Sequence, residues 1–261
     1  MCIRDSLNAF GLAEGFLPII ERDLNKPFEE GRLGFLVRVQ GYNETPNDTL
    51  VQVRVSTSMG IEARADGGSR TGAEACASPD SGVLPSWNSA GGDRWFGPNN
   101  GGAASEGYVT NGTLVVNGST TSYEIPVGAQ TLRQSKSIFV ASIGKSKTGP
   151  GFVLRGNLVG LVSANNLLSV IGEFPDFLAK DPKPRICDSD GGALSLFKTP
   201  LCSALDLLES SNDPTRPCDS VAFVVGIEAE QVAVESTAPC SLFADSGAGC
   251  DLRCNPSDGG R

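Results

Sequence analysis

Histidine is absent from all 261 residues of the chain. Ser-His-Asp and Cys-His nucleophile systems, HExxH zinc sites and imidazole proton shuttles are excluded with it. Aromatic residues are scarce at 7%, with Trp 2 and Tyr 3, so a platform of many rings is not available. No apolar run approaches the ~18 residues that a transmembrane helix needs. Basic residues are in deficit, since Lys+Arg 21 against Asp+Glu 30 leaves a net charge of -9. Such a surface repels phosphates, and nucleic acid is not an expected partner. The start, MCIRDSLNAFGLAEGFLPII, lacks the basic stretch and apolar core of a signal peptide. Its first six residues, 1–6, resemble a translated sequencing adapter, and the expectation is that they are an artefact and that an export signal has been lost before residue 7.

Cysteine is what the chain does have. Apart from Cys2 there are Cys76, Cys187, Cys202, Cys218, Cys240, Cys250 and Cys254, and all but Cys76 fall in the last third. A four-cysteine zinc site arrives as two CxxC knuckles, whereas the closest pair here is Cys250-x3-Cys254. No metal or other cofactor is therefore expected. Disulfides among Cys187, Cys202, Cys218, Cys240, Cys250 and Cys254 in an oxidising compartment account better for the pattern. Their connectivity is open, as is the partner of Cys76. The protein is expected to be exported, to a periplasm, an outer surface or the medium.

Periodicity supplies the architecture. Phe35, Val37 and Val39 alternate with Arg38 and Gln40, and Val51, Val53 and Val55 alternate with Gln52 and Arg54. Period-two alternation predicts strands of a half-buried sheet. GYNETPND between them is turn chemistry and predicts a hairpin. Residues 66–107 show no period and are rich in Gly, Ser and Asn, which predicts one long loop. Strand patterns return at Leu114–Val116, Tyr123–Val127, Ile138–Ile143 and Phe152–Ser163. Leu167, Leu168, Ile171 and Phe174 then form a helical stripe with Asn165 as its expected cap. Leu194, Phe197, Leu201, Leu205 and Leu208 predict a second helix, kinked or split at Pro200. Ser220–Glu235 is apolar on both faces, which predicts one long central strand covered on both sides. A short helix ending at Gly31 is expected in residues 7–30.

Together these patterns predict a mainly β protein. The expected fold is an antiparallel β-sandwich, jelly-roll-like, with a late helical insertion before the last long strand. One domain is expected over residues 7–238, with the insertion at about 164–210 and a Cys-containing flexible tail over 239–261.

The order of several segments resembles a group of uncharacterised, exported, Cys-containing, β-rich proteins of myxobacterial type. The segments are LNKPFEEGRLGFLVRVQGYNETPND, LPSWNSAGGDRWF, YVTNGTLVV, GFVLRGNLVGLVSANNLL, LCSALDLL and PCDSVAFVVGIEAE, spanning about residues 24 to 235. The resemblance implies export and a β-rich fold, and it carries over no catalytic residue.

Candidate chemistry is sparse. Gly144-Lys145-Ser146 ends like a P-loop, but Phe139 stands where the first glycine is needed, and a hairpin turn is expected instead. Asp188-Ser189-Asp190-Gly191-Gly192 begins like a calcium loop, but Gly192 and Thr199 occupy ligand positions, and a turn before a helix is expected. Glu228 and Glu230 lie two apart on a strand, roughly 7 Å from each other by strand rise. Carboxyl pairs at such spacing serve glycoside hydrolysis, so they define the enzymatic alternative. Trp87, Asp93 and Trp95 in the Gly-rich loop define a ligand site, because indole faces suit the CH faces of sugars. The bland reading is that both tryptophans anchor the loop. The N-x-[ST] asparagines Asn43, Asn47, Asn111 and Asn117 read as turn residues.

The leading expectation is a non-catalytic exported protein with a role in surface display or weak carbohydrate binding. A glycoside-active enzyme using Glu228/Glu230 and a purely structural envelope component are the alternatives.

Overall fold

Alternating strands dominate the computed structural model, which describes residues 28–31, 33–58, 60–61, 94–97, 104–118, 123–127, 130–147, 151–180, 184–189, 192–209, 218–237 and 254. The strands are β1 (Gly34–Gln40), β2 (Asp48–Ser58), β3 (Arg94–Gly97), β4 (Ser105–Thr110), β5 (Thr113–Gly118), β6 (Tyr123–Val127), β7 (Gln130–Lys145), β8 (Phe152–Ser163), β9 (Ser220–Glu230) and β10 (Ala233–Thr237). The helices are α1 (Ala164–Gly172) and α2 (Ala193–Ser203), with a 3-10 turn at Ile186–Asp188 between them.

Eight strands make one antiparallel sheet in the order β1-β2-β4-β5-β7-β8-β9, with β6 paired to the first part of β7. The sheet curls into a half-barrel. The described strands thus build a single curled sheet and a two-stranded parallel ribbon of β3 and β10, where two stacked sheets were expected. The reason is connectivity: along the main sheet each strand pairs with the next large strand in the chain, and such a meander wraps around its own contents.

Local chemistry sets the register. Between β1 and β2, Asn43 Oδ1 accepts from the Thr45 N–H (2.9 Å) and hydroxyl (2.7 Å), an Asx turn. The β4–β5 hairpin turns through Asn111 (φ 49) and Gly112 (φ 75), the pair of left-handed residues that a tight primed turn requires. Asn47 Oδ1 accepts from the Asn111 N–H at 3.0 Å and ties the two hairpins together. Asn43, Asn47 and Asn111 are turn residues, as expected. Asn117 is not, because it lies within β5.

The concave face holds the core. Val51, Val53 and Val55 of β2, Leu114 and Val116 of β5, and Phe139 and Ala141 of β7 are buried there with Leu158, Val162 and Val221. Burying each large aliphatic or aromatic side chain contributes about 1.5–3 kcal/mol. α1 fills the half-barrel with Leu167, Leu168 and Ile171. Ser163, where β8 ends, is the N-cap of α1, and its hydroxyl accepts from the Asn166 N–H at 3.4 Å. Asn165, the expected cap, is exposed inside the helix. The side chain of Asn166 takes over as a strand neighbour for β7. Its Oδ1 accepts from the Arg133 N–H (2.6 Å) and its Nδ2 donates to the Thr131 carbonyl (2.8 Å).

Three further expectations change. Residues 66–107 contain β3 and the start of β4, which no clear periodicity announced. Pro200 sits in α2 without splitting it, and Leu201 behind it is buried. Ser220–Glu235 is two strands, and β9 lies at the margin of the sheet with Val224 57% exposed. The proposed helix over 7–30 lies outside the described residues except for its last part.

Candidate functional site

Glu228 of β9 stands directly opposite Arg155 of β8, and the two form an ion pair at 2.7 Å. The hydrogen bond from Arg155, then its charge, holds the Glu228 carboxyl below the usual carboxylate range. A general acid needs the opposite shift, a carboxyl that keeps its proton near neutral pH. Glu228 is a charged partner of a cation and is not set up as a proton donor. Glu230 lies opposite Val153 and adds a weaker pull on Arg155.

This arrangement predicts a titration. Because the folded-state pKa of Glu228 is depressed, the ion pair contributes stability above the ordinary carboxylate pKa and loses it as pH falls through the depressed value. Both side chains are more than half exposed, so solvent screening keeps the effect small. Arg155→Met is expected to move the Glu228 titration upward into the ordinary range, read from side-chain carboxyl chemical shifts against pH. An unchanged titration would show that Arg155 is not the cause.

Trp95 is buried, 7% exposed, in a satellite cluster with Leu36 and Ile61 and with Val232 at its edge. Its indole lies over Gly34, where a Cβ would overlap the ring. The glycine therefore lets the ribbon of β3 and β10 pack close against β1. Trp95 has the place of an anchor in this geometry. Trp87 and Asp93 lie outside the described residues, so no platform joining them to Trp95 is described.

A second charged group knits the helical segment together. Arg185 donates to Asp188 from Nε (2.6 Å) and Nη2 (3.0 Å), and to both Glu173 oxygens from Nη1 (2.9 and 3.0 Å). Arg185 holds the Asp188 carboxyl below its usual range. Buried Asp176 accepts from the Leu178 N–H at 2.8 Å and from the Ser189 hydroxyl. Asp188 and Ser189, read from sequence as the start of a turn, are thus bound to protein groups. Among the described residues no group of three His, Cys, Asp or Glu is placed to hold a metal ion. Gly144 and Lys145 end β7, and the Ser146 N–H donates to the Gly151 carbonyl at 2.9 Å in the turn towards β8. Among the described residues no helix is long and apolar enough to cross a membrane.

Cys202 of α2 is bonded to Cys254, and Cys187 and Cys218 are disulfide-bonded as well. Cys76, Cys240 and Cys250 lie outside the described residues. The Cys202 bridge ties residue 254 to the helical layer, so this part of the expected tail is anchored.

The outer face of the sheet carries a feature that sequence reading passed over. Tyr108 is opposite Val115, Val115 opposite Val140, Ile138 opposite Val159, and Val159 opposite Val224. These neighbours form an apolar strip running from β4 to β9, and Tyr108, Ile138, Val140, Val159 and Val224 are all exposed. Asn117 and Asn157, also exposed, share that face opposite Ile138 and Val140. Apolar residues at the polar places of the alternation were the signal. In β9 the same signal was read as cover on both sides.

No protein-family model, curated protein or solved structure matches this chain. Function is therefore read from these surfaces and side chains alone.

Proposed function

We propose that the chain is a non-catalytic, exported, β-rich module of the bacterial envelope or extracellular space that binds carbohydrate weakly through the outer face of its sheet. The observation that carries this reading is the exposed strip from Tyr108 to Val224. Monomeric proteins rarely leave contiguous apolar surface open without a use for it. Tyr108 offers a ring face for sugar CH groups, and the Asn117 and Asn157 amides suit hydroxyls. Bonded Cys187, Cys202, Cys218 and Cys254 support an oxidising compartment. So does the resemblance to exported β-rich proteins of myxobacterial type. The pairing of Glu228 with Arg155 argues against Glu228 as the general acid of a glycosidase.

The test is a polysaccharide and glycan panel in which release of reducing sugar is followed alongside binding. Saturable binding without turnover, weakened about tenfold or more in a folded Tyr108→Ala variant, is the expected result. Turnover abolished by Glu228→Gln would establish the glycosidase reading in its place. A blank panel would leave a structural envelope component. The working surface is exposed, so Tyr108→Ala is expected to fold normally, which a Trp95→Ala variant is not.

A further inference from the structure

We infer that β9 pairs edge to edge, antiparallel, with β9 of a second copy of this chain. Among the described residues no strand lies beyond β9, which ends the sheet order. The direction of its backbone groups follows from the ladder. The Ser220 N–H donates away from β8, to the Leu207 carbonyl at 3.2 Å, and the register with β8 runs unbroken from Ser220 to Glu230. Residues of the same parity, Ala222, Val224, Gly226 and Glu228, therefore direct their N–H and C=O groups outward. The odd residues face β8, and the Gln231 N–H donating to the Phe152 carbonyl at 3.0 Å agrees with this.

Open edges are ordinarily blunted by short length, lysine, proline or a bulge. β9 is 11 residues long and has none of the other three, and among the described residues only its first, Ser220, is bridged on the outer side, by Leu207. β1, at the opposite margin, has 7 residues, carries Arg38, and is packed by Trp95 over Gly34.

The occupant follows from charge and shape. Residues 221–227 are uncharged, whereas the whole chain carries -9. A two-fold axis at Val225 places Val224 opposite Gly226 of the partner subunit, and Ala222 opposite Glu228 of the partner subunit. The branched Val224 then meets a glycine, and the long Glu228 meets an alanine. On the concave side, Phe223 lies opposite Ile227 of the partner subunit, and both are half-buried residues that the pairing covers further. The two Glu228 carboxylates end up roughly 20 Å apart along the strands, beyond the ~8 Å screening length of physiological salt. Sliding the pairing towards the C-terminal end of β9 brings like charges together, so the acidic residues select the register. An unrelated extended peptide gains no such match. The pairing does not rest on the carbohydrate reading: Val224 is shared with the exposed strip, but the pairing uses the backbone edge of β9 and not Tyr108.

The test is sedimentation velocity over a concentration series on the full, oxidised chain, with amide hydrogen exchange at each concentration. The expected result is a reversible dimer in which the Val224, Gly226 and Glu228 amides become protected as concentration rises. Val224→Pro removes an outward N–H that the chain's own ladder does not use, and is expected to weaken the dimer at least tenfold with the unfolding midpoint little changed. Val224→Lys keeps the N–H but charges the edge, and is expected to weaken it as well should the proline variant fail to fold. Ile138→Lys, two strands away on the same face, is expected to leave the dimer intact. A monomer at every concentration, or a dimer indifferent to both Val224 variants, overturns the inference. So does protection that appears anywhere but on β9.

Discussion

Gly156→Ala is expected to cost about 3 kcal/mol or more, a large share of an ordinary stability of about 5–15 kcal/mol. Gly156 lies in the middle of β8, opposite Ala141 of β7 and Ile227 of β9. A methyl group at this place would run into the Val140 carbonyl and the Ala141 backbone, with the Ala141 Cβ only 2.7 Å away. The obstructing atoms are backbone in the best-paired part of the sheet, and they cannot rotate aside as a flexible side chain would. Relief requires separating β7 from β8, which also loosens Phe139 and Leu158 in the core beneath. Chemical unfolding of the variant beside Gly192→Ala checks this. A Cβ on Gly192 meets nothing within 4 Å, and that variant is expected to stay within about 1 kcal/mol of the parent. Equal midpoints for the two would show that the strands are not so closely apposed at residue 156.

Replacing Cys202 and Cys254 together by serine is expected to lower the stability by about 4 kcal/mol. The bridge joins residues 52 apart, and in the chain-entropy description the cost of closing such a loop is removed from folding and placed in the unfolded state. The loop contains β9 and β10, so the covalent tie holds the last strands of the sheet to α2. Urea unfolding without reductant, with the other bridges intact, measures the difference. A loss below about 1 kcal/mol would mean that the bridges at Cys187 and Cys218 already restrict the unfolded chain over this span. Hydrogen exchange should place the loss in β9 before the β4–β5 hairpin, since the hairpin lies outside the closed loop.

The β1–β2 hairpin was legible because everything it needs is local. Val51, Val53 and Val55 alternate with polar residues, and the turn carries its own Asx hydrogen bonds. α1 was legible for the same reason, since Leu167, Leu168 and Ile171 mark one helical face. Its cap was misplaced by two residues, because Ser163 is both the last residue of β8 and the first partner of the helix, and alternation assigns it only to the strand. β3 was not legible. Four residues give too little pattern, and they are in a strand only because β10 lies beside them, more than a hundred positions further on. The ligand site was read onto tryptophans because indoles are the residues that carry such chemistry most often. A sequence does not say that Gly34 opens the space that buries Trp95.

What the sequence by itself determined is the strand-rich character, the helical insertion and the exclusion of imidazole chemistry. Each depends on residue type and spacing along the chain, which are local quantities. What only the tertiary structure decided is which strand ends the sheet, which carboxylate meets an arginine and which apolar residues stay in water. Ser220–Glu235 makes the difference concrete. Its apolar residues on both faces suit a central strand, but Arg155 and the rest of β8 pair with only one of its edges. Centrality is a property of the neighbours that a strand has, and those neighbours are set by hydrogen bonding between segments far apart in the chain.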